Sequence, residues 1–207
     1  MEVYVYCREG NWIFVHIQKT GGNSVCTALG ASTRHPDKHR SAVELREAYG
    51  HEAWDNAFTF AWVRNPWERI LSWWSMIESQ RSSYGGCSRF QQLVLDTASN
   101  FEDFLLRFDG FPDDEFFKSN WLFRPQIAMI SDECGRSIVD FVGRFERLVE
   151  DWQVVARRVG RPGVALPHVN QSSHGPYQDY YSPRTRDIVA RHFATDIRTF
   201  GYAFDGE

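Results

Sequence analysis

The chain has 207 residues, with 23 Lys and Arg against 27 Asp and Glu, a formal net charge of −4 and an isoelectric point near 6.0. Its 43% hydrophobic and 24% charged residues exclude a disordered tail, a collagen and a coiled coil. The mild negative balance excludes the basic stripe with which proteins grip nucleic acid, so any anionic ligand must be held by a local pocket.

At this length about 70% of the unfolded chain's surface can be buried, so the core needs no metal or disulfide. The four cysteines, Cys7, Cys26, Cys87 and Cys134, show no CxxC or metal-ligand spacing and read as small hydrophobes of a reducing compartment. Glu2, Arg8 and Glu9 interrupt the only apolar run near the start, so no signal peptide is expected. Nowhere do 18 apolar residues follow one another, and a cytoplasmic protein without a membrane span is expected.

In chain order, Trp12 to Ile17 is a continuous β-prone run, the pattern of a strand buried on both faces. It leads through Gln18-Lys-Thr-Gly-Gly-Asn-Ser24 into a helix from Asn23 to Leu29. A short amphipathic helix follows from Ser41 to Tyr49. The strand–turn–helix logic then repeats: Ala57 to Val63 reads as a strand, Asn65 as an N-cap, Pro66 as the first helical residue, and Glu68 as the partner in a capping box. This helix should run to about Ile77, before a loop from Gln80 to Ser88 rich in serine and glycine. Ser99 or Asn100 caps a helix through Phe108, and Pro112-Asp-Asp-Glu115 opens another. Ser137 to Val142 reads as a strand and Glu146 to Val159 as a helix. Ser182 and Pro183 start a closing helix whose apolar stripe is Val189, Phe193, Ile197 and Phe200, stopped by Gly201. Strands alternating with helices predict one α/β domain over 1–207, with three α/β/α layers around a central parallel sheet.

The 18–24 segment sits where backbone amides and the positive end of a helix dipole collect an anion. Its glycines allow close approach, Lys19 adds a charge, and Thr20, Asn23 and Ser24 add donors. The lysine precedes the glycines, so this is not a Walker A motif. The same residues could instead form a plain Gly-Gly turn. Arg64 ends the second strand, and Ser72 shares a helix face with Asn65 and Glu68. Arginine can chelate a phosphate bidentately while a hydroxyl takes a third oxygen; pairing of Arg64 with Glu68 is the alternative. Two such strand ends, built from Lys19, Arg64 and two helix N-termini, suit a ligand with two separate phosphates.

Phe14-Val-His-Ile-Gln-Lys-Thr-Gly-Gly-Asn-Ser24 resembles the 5′-phosphosulfate loop of sulfotransferases that use 3′-phosphoadenosine 5′-phosphosulfate (PAPS), and Phe60-Ala-Trp-Val-Arg-Asn-Pro-Trp-Glu-Arg-Ile-Leu-Ser72 resembles their 3′-phosphate motif. The carbohydrate and heparan-type branch, with its short bacterial members, is the closer match. Val139 to Leu148 and Asp196 to Phe204 are also similar to that branch. The resemblance implies a P-loop nucleotide-kinase-like fold and a cytoplasmic, bacterial enzyme that moves a sulfuryl group from PAPS to a hydroxyl and releases 3′,5′-ADP. It assigns Lys19, Thr20, Gly21, Gly22, Asn23 and Ser24 to the 5′-phosphosulfate and Arg64 and Ser72 to the 3′-phosphate. Ser172 and Ser173, in the polar loop from His168, would close over the nucleotide. Gln18 stands where the family commonly has proline and Asn23 where it commonly has threonine.

The family's base is a histidine or glutamate between the two motifs; His35, His39 and His51 lie there, and His39 looks most like it. Lys19 would neutralise the leaving phosphate. His16, inside the buried strand, reads as a core histidine with satisfied nitrogens. His35 and His39 are four apart, but Pro36 disfavours a helix and no third ligand follows, so no metal is expected. Trp73, Trp74 and Tyr84 could stack on an acceptor ring or fill the core, while His35 and Gln126 are possible acceptor contacts. The acidic run Asp109 to Glu115 reads as a solvated helix start. The acceptor is a small-molecule or glycan hydroxyl, and the oligomeric state is not readable. A P-loop-type small-molecule kinase and a non-catalytic carbohydrate-binding domain are the rival readings.

Overall fold

In the computed structural model, which describes residues 5–83, 86–108, 120–167 and 174–206, the elements run in this order: β1 (Tyr6–Cys7), β2 (Trp12–Val15), α1 (Gly22–Leu29), α2 (Ala42–Tyr49), α3 (His51–Asn56), β3 (Phe58–Val63), α4 (Pro66–Glu78), α5 (Arg89–Thr97), α6 (Phe101–Leu106), α7 (Gln126–Ile130), β4 (Phe141–Arg144), α8 (Leu148–Arg158), α9 (Pro183–His192) and α10 (Ala194–Phe200). Single 3₁₀ turns cover Phe145–Arg147 and Tyr177–Tyr180. Two compact units result: Met1–Arg64 with Gln126–Gln171, and Asn65–Pro125 with Ser172–Glu207.

The first unit holds the sheet, in the order β1-β2-β3-β4. β2, β3 and β4 are parallel, as the alternating pattern predicts, with Phe14 opposite Phe60 and Phe60 opposite Phe141. The two-residue β1 adds an antiparallel edge that the sequence does not announce. All four residues of β2 are buried, which is why this strand carries no polar alternation. Phe14 and Phe60 stack at 5.3 Å, and Trp62 meets both edge-on. α1 and α8 cover this face with Val25, Leu29, Trp152 and Val155; each such side chain stabilises the fold by about 1.5–3 kcal/mol. β4 starts four residues later than the predicted strand. Asp140 instead pins the register, accepting the amide and hydroxyl of Thr59 at 2.8 and 2.9 Å.

The second unit is helical and aromatic. Trp73 and Trp74 of α4 stack on Phe104, and Phe108, Phe123 and Phe193 extend the same core. Arg69 is fully buried here, donating to the Leu122 carbonyl at 2.9 Å. α5 follows the Ser/Gly-rich loop and is fixed by a capping box between Ser88 and Gln91. The closing helix expected as one piece is two, broken at Phe193, whose backbone leaves the helical region at φ −107° and ψ 27°. The helix start expected at Pro112 falls outside the described residues.

Candidate active site

The loop between β2 and α1 is shaped by steric exclusion. Gly21 has φ 81°, and a side chain there would lie 2.7 Å from Leu148 Cδ2. At Gly22 an added Cβ would fall 2.0 Å from Nε2 of His16, so that volume is already taken. Lys19 also adopts a left-handed backbone, φ 67°, at a cost of about 1–2 kcal/mol for an L residue. The helix N-cap is Gly21, which offers no side chain to cap α1, and the Ser24 amide turns back to the Gly21 carbonyl at 3.0 Å.

Arg64, 4% exposed at the end of β3, is seated against this loop. Its Nη1 donates to the Lys19 carbonyl at 3.1 Å, and its guanidinium lies 3.9 Å from the ring centre of Phe145. Gln126 grips its backbone from both sides: Oε1 accepts the Arg64 amide at 2.9 Å and Nε2 donates to the Arg64 carbonyl at 2.8 Å.

A tight turn brings two more groups. Asp37 accepts from Tyr49 Oη at 2.9 Å and pairs with Arg40 at 3.0 Å, while its amide donates to His35 Nδ1 at 3.1 Å. Ser41 and Glu44 close a capping box at the start of α2. Between these anchors, Lys38 Nζ donates to Asn23 Oδ1 at 2.8 Å and His39 Nδ1 lies 3.0 Å from the His16 carbonyl. A carbonyl only accepts, so Nδ1 carries the hydrogen and the lone pair of neutral His39 sits on Nε2. Burial pushes His39 down to about 4, overriding the upward pull of that hydrogen bond. The imidazole is therefore neutral at pH 7. Burial, then repulsion from Arg64 and Lys38, lowers Lys19 to about 8, and burial also lowers Lys38.

A helix start without a side-chain cap, two lysines and a guanidinium, with a neutral imidazole on the adjoining turn, are groups that can hold an anion and accept a proton. Compared with known families, residues 3–203 match the Sulfotransferase family. The chain belongs to the sulfotransferase family. It is also 26% identical over 137 residues to an uncharacterized protein of Archaeoglobus fulgidus, covering 65% of this chain and 93% of that protein. No solved structure matches it.

In this sulfotransferase, Lys19, Gly21, Gly22, Asn23, Ser24, His39 and Arg64 all fall in the first unit. Thr20 does too, but it is fully buried and its hydroxyl donates to the Ile17 carbonyl at 2.9 Å, so the side-chain donor expected for an anion is committed to the loop itself. Gln126 is not exposed at all, and both ends of its amide serve Arg64; the expected acceptor contact is instead a backbone clamp. His16 is buried as expected but not satisfied, since Nδ1 has no hydrogen-bond partner among the described residues. Its ring stacks on Phe14 at 5.2 Å and meets His39 edge-on at 4.9 Å. Trp74, proposed for acceptor stacking, is 5% exposed and packed in the core of the second unit, as is Trp73. Ser72 is buried on α4, in that same unit. Tyr84, Ser172 and Ser173 lie outside the described residues. No sequence signal marks Lys38 apart from its place beside His39, and none gives Phe145 a role within the 139–148 segment.

Among the described residues no helix is long and apolar enough to cross a membrane.

Proposed function

We propose that the protein transfers the sulfuryl group of PAPS to a hydroxyl of a small-molecule or glycan acceptor, releasing 3′,5′-ADP. The observation that carries this reading is the convergence of Lys19, Lys38 and Arg64 on a glycine loop at an uncapped helix start, with the open nitrogen of neutral His39 available beside it. PAPS is a substrate consumed in each turnover, and the residues present suit it: strong donors for a polyanion, and among the described residues no carboxylate paired with Lys19 or Lys38.

In this scheme His39 Nε2 takes the acceptor proton as the hydroxyl oxygen forms its bond to sulfur. The bond from sulfur to the bridging phosphate oxygen breaks, and Lys19 with the α1 amides stabilises the charge left on that phosphate. Arg64 holds the 3′-phosphate; the part of Ser72 there rests on the sequence resemblance alone. Rate enhancement comes from placement and preset charge, since no covalent intermediate is needed. The three-layer P-loop-like architecture and the use of 1–207 as one sulfotransferase domain belong to the same reading. The family match, which spans both units, supports the latter, and a single cooperative unfolding transition would check it.

Calorimetric titration with 3′,5′-ADP tests the donor. Binding by the parent, weakened about 10- to 100-fold in Arg64→Ala, is expected from loss of charge-assisted hydrogen bonds. Absence of binding, or binding unaltered in that variant, overturns the assignment, and a preference for ATP with magnesium would turn the reading to a kinase. Screening a hydroxyl library with labelled PAPS identifies the acceptor, after which His39→Gln should abolish turnover while still binding 3′,5′-ADP.

A further inference from the structure

Lys38 bridges the turn that carries His39 and the loop that precedes α1. Its ammonium is half-buried, and its hydrogen bond goes to a neutral amide oxygen, Asn23 Oδ1, across 15 residues of sequence. The carboxylate next to it in the chain, Asp37, is already held by Tyr49 and Arg40. Asn23 stands at the second position of α1, just after the glycine that begins the helix. After burial and Arg64, repulsion from Lys38 is among the causes that lower Lys19. Bringing like charges together in a partly desolvated site is unfavourable unless an anion completes it.

We infer that Lys38 is a third cation of the donor site, contacting the 5′-phosphosulfate, and that Asn23 is a positioning residue that holds Lys38 over the loop. This rests on the reading that the loop binds the donor. It gives the site charge on both sides of the phosphosulfate, from Lys19 within the loop and from Lys38 on the opposing turn. Asn23 suits the task because its amide oxygen accepts a lysine hydrogen bond without adding the negative charge that would repel the donor.

The test is calorimetric titration of the whole protein with 3′,5′-ADP at pH 9, in two buffers of different ionisation enthalpy. Both phosphates are then fully ionised, so protons taken up on binding go to the protein's lysines. The parent should take up protons. Lys38→Met should bind about tenfold more weakly or worse and take up fewer protons. Asn23→Ala should lose a few-fold in affinity, with no further loss when combined with Lys38→Met, because Asn23 acts through Lys38. A merely structural contact would change thermal midpoints without altering proton uptake. If Lys38→Met binds within twofold of the parent with unchanged proton uptake, while Arg64→Ala still weakens binding, the inference falls and the donor reading stands. Failure of the parent to bind 3′,5′-ADP overturns both.

Discussion

The two strand-to-helix junctions read alike in sequence and are built to opposite plans. Where β2 enters α1, the N-cap is a left-handed glycine without a side chain, and the preceding lysine is itself left-handed. At the start of α4, Asn65 Oδ1 accepts the Trp67 amide at 3.1 Å, and Pro66 removes a donor altogether. Of the two helix N-termini expected to serve anions, that of α4 is already capped by a side chain, while that of α1 carries no side-chain cap. The second junction offers instead the guanidinium of Arg64, held in the first unit by Lys19, Phe145 and Gln126. One junction has a helix start without a side-chain cap, the other a guanidinium fixed at the end of a strand.

The largest effect separating these plans is expected at Gly22. Gly22→Ala drives a methyl into the His16 ring and should cost about 3 kcal/mol, at the upper end of overpacking penalties. It should also abolish 3′,5′-ADP binding, as read by urea denaturation and calorimetry; an alanine variant that binds normally would refute the steric account of this loop.

Acidification comes next. The folded state holds His39 at about 4 against an ordinary 6.5, so the unfolded chain takes up the proton first. Stability from this group is complete above pH 6.5 and is lost as the pH falls from there toward 4, to a total of about 3 kcal/mol. His16, also held well below its ordinary value by burial, adds in the same direction. Denaturation measured between pH 7 and 4.5 should show a shallower loss in His39→Gln than in the parent. By the same shift, the acid limb of the turnover profile should lie below pH 6 once an acceptor is known.

Gln126→Met removes both hydrogen bonds on the Arg64 backbone and should cost about 1–3 kcal/mol, with a several-fold loss of 3′,5′-ADP affinity. An affinity equal to the parent's would show that the strand end holds Arg64 unaided. The smallest effect on 3′,5′-ADP binding is expected from Asn65→Ala at the capped junction, which removes the cap on Trp67 and the Nδ2 hydrogen bonds to the Tyr177 hydroxyl and the Ala203 carbonyl and should cost about 1–3 kcal/mol in thermal denaturation. On binding it should be much milder than Gly22→Ala, and the opposite ranking would erase the distinction between the junctions.

What was legible in the sequence follows the range of the interactions. Strands β2 and β3 declare themselves through uninterrupted apolar runs, and α2, α4 and α9 through cap residues within four positions of their starts. β4 is displaced because Asp140, 81 residues from Thr59, decides where pairing begins. α5 had its own local signal in Ser88 and Gln91, masked by the flexible composition just before it. In the site, Lys19 and the glycines can be read because they are contiguous. The Gln126 clamp acts over 62 residues and the Lys38 bridge over 15, and no periodicity links either pair. Gln126 and Trp74 have a chemistry that permits either role, and their burial decides it.

The space that Gly22 leaves empty and the His16 ring fills also has an evolutionary reading. Positions 16 and 22 draw on one shared volume, so relatives free to vary at either should vary at both. A side chain at 22 would call for a smaller neighbour at 16. Since the backbone oxygen of 16 anchors His39, drift at one glycine would reach that imidazole without any substitution touching it.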